Sequence, residues 1–309
     1  MVVVTADPAA PATSDVAEDD LELMLLIRSF ETKVLDLFAA GKIAGTTHTC
    51  LGQEYIPVAL RTEIADGDYL FSNHRGHGHY LARFRDCHGL LAEILGRVGA
   101  VCDGVGGSQH ILRARYLSTG VQGESVPVAV GAAMWLKRTE PGSIAVAHIG
   151  DGTWGEGAVY EGLNIAALWQ VPLLVVVENN GIAQSTPTEL QMAGSVAGRA
   201  RAFNIDYQLV TGTDIESIRS LLAPLVSLVR TESRPLVVEF RAVRLGPHSK
   251  GDDTRSTAEL AQLRRRDWAT HYAAANPERF TQVAGRMAAY IDDVAEEVER
   301  RAPARWAGL

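Results

Sequence analysis

Cysteine is scarce: the chain of 309 residues has three, Cys50, Cys87 and Cys102. An odd number, in no metal-ligand or redox spacing, excludes a disulfide framework and points to ordinary thiols in a reducing compartment. Positive charge is also short. A formal net charge of -8 argues against sequence-independent nucleic-acid binding, which needs a basic surface to displace counterions. Long apolar runs are missing too. The longest, around Val126 to Leu136, is interrupted by Gly131 and falls far short of the roughly 20 residues that span a bilayer. The short run Val2 to Val4 has no basic residue before it and acidic residues after it, unlike a secretory or transit signal. The expected address is the cytoplasm. Anionic small molecules remain admissible ligands, because a metal ion and backbone N–H groups can hold a diphosphate without a basic overall surface.

What is present suits a sizeable core: 47% of residues are hydrophobic and 21% charged, so one large α/β domain is expected over residues 20–309. Residues 1–19, rich in Ala, Pro, Thr and Asp without periodicity, read as a flexible leader. From Asp20, apolar residues at Leu23, Ile27, Phe30, Val34 and Leu37 recur at helical spacing up to Gly41, which predicts an amphipathic helix. The pattern then alternates: a small-residue helix from Val126 to Lys137, a strand from Ile144 to Ile149, a helix from Gly157 to Gln170 and a strand from Pro172 to Val177. A helix from Ile215 to Val229 and a strand from Leu236 to Val243 continue it, and two helices, Thr257 to Ala274 and Gln282 to Arg301, close the chain. The βαβ order predicts a parallel sheet with helices on both faces.

Gly150-Asp151-Gly152-Thr153-Trp154-Gly155 follows a predicted strand and opens a helix, so it formally satisfies the G-x-G-x-x-G dinucleotide fingerprint, with Glu178 where a ribose-binding acid would stand. A nicotinamide oxidoreductase is therefore one reading. Against it, Asp151 would face the pyrophosphate and repel it unless a cation lies between. The next strand ends in Asn179 and Asn180. In a parallel sheet both strand ends reach the same edge, so Asp151, Asn180 and a backbone carbonyl at about Ile182 can offer oxygens to one hard cation such as Mg²⁺.

GDG followed by NN, standing here as GDGTWGEGAVYEGLNIAALWQVPLLVVVENN, resembles the signature of thiamine diphosphate enzymes. Over about residues 21 to 300 the chain resembles the α subunits of 2-oxo acid dehydrogenase E1 components, of the pyruvate, acetoin or branched-chain kind. Leu51-Gly52-Gln53-Glu54, Ser72 to His79 (SNHRGHGH) and Gly106-Gly107-Ser108-Gln109-His110 resemble its blocks in family order. The resemblance implies a thiamine diphosphate-binding fold with Gly150, Asp151, Gly152 and Thr153 at the diphosphate, Asp151, Asn180 and Ile182 on Mg²⁺, and His74 and Arg75 as phosphate donors. Many members carry Tyr where His74 stands. It further implies that backbone carbonyls of Gly120 and Gln122 receive the aminopyrimidine, and that the loop Pro247 to Asp253 folds over the cofactor, with His248 facing substrate. Ser249 takes the place of a serine phosphorylated in some relatives. His77 and His248 are the candidates for proton transfer, since imidazole titrates near neutrality; as alternatives, these histidines pack within loops or, as HRGHGH, form a zinc cluster.

The implied activity is decarboxylation of a 2-oxo acid, or cleavage of acetoin, with transfer of the acyl unit to a lipoyl group. In the family the Glu that activates thiamine comes from the β subunit, so an α₂β₂ heterotetramer is implied; the helix from Val126 to Trp135 suits close packing within the chain or at such an interface. The same half-reaction loading a short acyl unit onto a lipoylated carrier protein, and a non-catalytic α-like subunit, are the other readings.

Overall fold

The segment Leu173–Asn179 reads LLVVVEN and every one of its residues is buried, as expected of a strand covered on both faces of a parallel sheet. The computed structural model describes residues 16–249 and 251–305, so the expected leader falls outside the described residues up to position 15, as does Lys250. By internal contacts the chain divides into two compact units, one comprising Ala59–Asn73 and Arg115–Val243, the other residues 16–58, 74–114 and 244–305.

In the first unit, six strands run in the order Tyr116–Ser118, Tyr69–Ser72, Ala145–Gly150, Leu173–Asn179, Leu236–Arg241, Asp206–Val210. Every pairing among them is parallel. One core joins Ala145, Ala147 and Ile149, and Leu173, Val175 and Val177, to helices Ser125–Thr139, Gly157–Trp169 and Val196–Ala202. The alternate strand members Val146, Leu174, Val176 and Val238 are equally buried, and helix Ile215–Glu232 packs on the Leu173–Asn179 and Leu236–Arg241 strands. The small-residue helix uses one side inside this unit: a Cβ on Gly162 would meet Val126 Cγ1 at 2.9 Å. Gly131 meets open space, and Val128 and Trp135 are exposed.

The second unit is mainly helical: Glu18–Ala39, His77–Phe84, Cys87–Leu95, Thr257–Arg265, Trp268–Ala275 and Pro277–Arg300. The first of these packs along the last. Where the sequence predicts one helix from Thr257 to Ala274 there are two. The break falls at Asp267, whose extended backbone (φ -73°, ψ 132°) lets its carboxylate take the Arg28 guanidinium at 2.6 and 2.8 Å while Glu54 takes the other side at 2.9 Å. The final helix starts earlier than predicted because Pro277, with its fixed φ, suits the first helical turn. No helix among the described residues is long and apolar enough to cross a membrane.

Glu93, at the buried end of helix Cys87–Leu95, organises the glycine loop that follows. Its Oε2 accepts from the N–H groups of Cys102 (2.7 Å) and Gly104 (3.0 Å), and its Oε1 from those of Gly106 (2.7 Å) and Gly107 (3.2 Å). A carboxylate is acceptor-only, so both of its oxygens match the four N–H groups that the loop turns towards it. Glu93→Gln turns an NH₂ group towards two N–H groups; it is expected to cost about 2–4 kcal/mol, from unsatisfied buried donors at roughly 1–3 kcal/mol each, read as a lower midpoint in urea denaturation.

Candidate functional site

Strand Ala145–Gly150 ends opposite Glu178 of the neighbouring strand, so Asp151 and the Asn179-Asn180 pair leave the sheet at the same edge. Asp151 is 2% exposed and opens a short 3₁₀ turn, Asp151–Gly155. The Thr188 hydroxyl donates to its Oδ2, and the Thr188 N–H donates to the Gly181 carbonyl at 3.0 Å. Gly181 sits at φ +80°, a left-handed conformation that glycine adopts without strain. Asn179 Oδ1 accepts the Gly181 N–H at 3.0 Å, and Asn180 Oδ1 the Ile182 N–H at 3.3 Å. The hairpin Ile182–Ala183 and Thr186–Pro187 then packs on the 3₁₀ turn. A Cβ on Gly152 would fall 2.6 Å from the Ala183 Cβ, so only glycine fits there. Thr153 Oγ1 donates to Gln122 Oε1 at 2.7 Å, and Gln122 Nε2 donates to the Gly120 carbonyl at 3.3 Å. The first unit thus gathers Gly120, Gln122, Gly150, Asp151, Gly152, Thr153, Asn180 and Ile182 of the predicted set.

The donor set here is all oxygen: a buried carboxylate, an amide oxygen and main-chain carbonyls. It fits a hard cation. Thr188, a hydroxyl that orients the carboxylate, has no sequence signal beyond its place after the Asn pair.

His74, Arg75, His77 and His248 belong to the second unit. The Arg75 guanidinium is buried; Nη1 donates to the Thr49 carbonyl at 2.7 Å and Nη2 to His248 Nδ1 at 3.2 Å. Because a guanidinium only donates, His248 accepts at Nδ1 and carries its proton on Nε2. His48, absent from the predicted set, stands edge-on to both His74 (centroids 4.8 Å) and His248 (4.6 Å), and its Nδ1 lies 3.1 Å from Gln109 Nε2. Burial and then the Arg75 charge push His48 down to about 3 and His248 down to about 4. Both rings are therefore neutral at pH 7. In the same loop, Asp252 accepts from the Ser249 N–H at 2.8 Å and from its hydroxyl at 3.2 Å.

His77 is enclosed, at 1% exposure. Its Nδ1 lies 2.9 Å from Glu31 Oε2, and its Nε2 lies 2.9 Å from Ser108 Oγ and 3.1 Å from the Ser108 carbonyl. Burial alone would depress this imidazole, but the Glu31 carboxylate and the Ser108 carbonyl hold it above its usual value. Glu31 also accepts the Cys50 N–H at 2.8 Å, and Ser108 Oγ lies 3.0 Å from Thr47 Oγ1. Helix Glu18–Ala39 and both glycine-bearing loops meet on this one ring.

These histidines carry a pH signature. His48 and His248 have folded values below the unfolded 6.5, so the unfolded chain takes up protons that the folded one refuses, and their contribution to stability is lost as pH falls from about 6.5 towards 4. His77, raised, acts in the opposite sense. The difference in unfolding free energy between wild type and a His48→Asn/His248→Asn double variant is expected to shrink steadily as pH drops from 6.5 to 4. A constant difference over that range contradicts the assignment.

Comparison with known proteins gives a consistent picture. The α subunit of the acetoin:2,6-dichlorophenolindophenol oxidoreductase of Bacillus subtilis is 37% identical over 233 residues, covering 74% of this chain and 70% of the relative. Its counterpart in Cupriavidus necator is 34% identical, over 78% and 74%. The pyruvate dehydrogenase E1 component subunit alpha of Rhizobium meliloti is 33% identical over 274 residues, 83% of this chain and 79% of that one. Residues 22–301 match the family described as Dehydrogenase E1 component, and with the paired strand ends and the glycine loops inside that span, the chain belongs to the dehydrogenase E1 component family.

Proposed function

We propose that this chain is the α subunit of a thiamine diphosphate-dependent E1 enzyme. With a β subunit it decarboxylates a 2-oxo acid or cleaves acetoin, and passes the acyl unit to a lipoyl group on a lipoyl domain or a lipoylated carrier protein. The observation that supports this most is the exit of Asp151, a buried carboxylate, and Asn180, an amide, from adjacent parallel strands at one edge. Relatives named for acetoin and for pyruvate are both similar to it, so the donor proposed is a small one of that kind. Its free cysteines suit the reducing cytoplasm.

In this reading residues 20–309 work as one cofactor-binding module. Asp151, Asn180 and the Ile182 carbonyl hold Mg²⁺. Gly150, Gly152 and Thr153 let the backbone approach the diphosphate, and His74 and Arg75 donate to it. The carbonyls of Gly120 and Gln122 take the aminopyrimidine; the Gln122 amide already binds the first of these, and a carbonyl has a second lone pair free for a ligand. When bound, thiamine diphosphate supplies the carbon nucleophile and the electron sink for decarboxylation, while the β subunit supplies the activating Glu. His248, neutral and protonated at Nε2, donates to the substrate carboxylate or carbonyl and exchanges the proton. His77, with both nitrogens engaged, serves the reaction by fixing the loops around it.

Purified with its β partner, the chain is expected to gain several degrees of melting temperature from thiamine diphosphate plus Mg²⁺, to lose that gain with a chelator and to gain nothing from NAD. Asp151→Asn is expected to weaken cofactor binding at least tenfold and to abolish reduction of 2,6-dichlorophenolindophenol with acetoin or pyruvate, since removing a carboxylate ligand from a hard cation costs more than the roughly 10–100-fold of an outer partner. Stabilisation by NAD alone overturns the proposal.

A further inference from the structure

Glu239 takes no part in the ligand set just described, yet it is a buried acid, 2% exposed, at the same sheet edge. On strand Leu236–Arg241 it lies opposite Val177 on one side and Leu209 on the other. Side chains alternate along a strand, so Asn179, one pleat ahead on one neighbour, and Tyr207, one pleat behind on the other, share its face. Such diagonal neighbours are within reach of long side chains. The contacts are made: Asn179 Nδ2 donates to Glu239 Oε1 at 2.7 Å and the Tyr207 hydroxyl to Oε2 at 2.6 Å, with Arg241 Nη2 3.3 Å away at the exposed end.

An amide has a donor end and an acceptor end, and a carboxylate accepts only. Glu239 therefore fixes which way the Asn179 amide faces. With Nδ2 held, Oδ1 is turned to the Gly181 N–H at 3.0 Å, and this bond sets the left-handed Gly181 at φ +80°. Asn180 and Ile182 flank that glycine. Gly181 is held from its other end by the Thr188 N–H, whose hydroxyl also binds Asp151.

We propose that Glu239, held by Tyr207, is a positioning residue for the cation site, acting through Asn179 to hold the turn that presents Asn180 and the Ile182 carbonyl. This rests on the cofactor reading above. A role in packing alone predicts that Glu239 variants lose stability without a particular loss of cation affinity; the positioning role predicts the reverse.

The test uses the full chain with its β partner. Mg²⁺ is titrated at fixed thiamine diphosphate, read by the heat of binding in isothermal titration calorimetry, with melting of the cofactor-free protein measured alongside. Glu239→Leu keeps volume but removes the acceptor, and is expected to raise the Mg²⁺ concentration for half-saturation roughly tenfold or more. Glu239→Gln keeps an acceptor for Asn179 and is expected to stay within about threefold of wild type. Tyr207→Phe, which leaves the acid in place, is expected between them, and kcat at saturating Mg²⁺ falls less than affinity in all three. Wild-type Mg²⁺ affinity in Glu239→Leu, or equal losses in the Leu and Gln variants, overturns the positioning role. A wild-type protein that takes up no thiamine diphosphate fails the cofactor reading instead, and the proposal with it.

Discussion

The in-register parallel pairing of Ala145–Gly150 with Leu173–Asn179 is the constraint on which the site depends. It puts Gly150 opposite Glu178, and a parallel pair sends both chains out over the same edge. Because Val146, Leu174 and their alternate neighbours are all buried, a slip of one residue would turn every side chain of one strand into the packing of the opposite face, where it has no matching space. Burial thus locks the register, and the register sets where Asp151 and Asn180 stand. The local chemistry then refines this. Gly181 makes the turn, Gly152 clears the Ala183 side chain, and Thr188 ties the turn to the carboxylate.

The same logic recurs in loops that carry no regular structure of their own. Glycine-rich backbone offers donors without side chains to satisfy them, and a buried carboxylate offers acceptors without donors. Glu93 collects the N–H groups of the Cys102 to Gly107 loop, and Glu31 joins Cys50 to His77. Asp68 takes the N–H groups of Ala65 and Ile144 together with the Arg230 guanidinium. A buried charge left without partners is costly, so each acid and its loop are stable only together. A loop built this way is ordered without a ligand, and any ligand it took would meet a lower ordering cost.

Long periodic segments were legible in the sequence. The helices beginning at Gly157 and Ile215 and the strands around Val175 and Val238 lie within a few residues of their predicted limits, because periodicity reports burial directly. Tyr69–Ser72, Tyr116–Ser118 and the edge strand Asp206–Val210 are too short for a period to emerge, and what makes them strands is a partner distant in sequence. The break at Asp267 is a tertiary effect of Arg28 and had no local sign. The candidate site divides in the same way. The glycine turn and the Asn pair are read from sequence because they stand close together as a pattern, with Gly152 demanded by the Ala183 side chain, whereas His48, Gln109, Thr188 and Glu239 are ordinary residues whose meaning lies in contacts distant in sequence.

The dinucleotide fingerprint formally present at Gly150 to Gly155 shows how structure separates two readings of one pattern. That fingerprint works when an α-helix starts directly after the glycines, so that its free N–H groups and dipole face the pyrophosphate. Here the residues after Gly150 form a 3₁₀ turn, Glu156 is extended at φ -87° and ψ 129°, and the α-helix begins only at Gly157. Glu156 stands at the helix N-terminus, its side chain carbons against Gly123, where an acid opposes a bare phosphate. Asp151 adds a second negative charge, oriented by Thr188 rather than turned aside. A diphosphate beside the Asp151 carboxylate would be repelled, since two like charges at about 4 Å repel by some 4 kcal/mol at intermediate dielectric. A divalent cation between them would turn that repulsion into attraction on both sides, so the acid that weakens the dinucleotide reading is the one the proposed cation site would need.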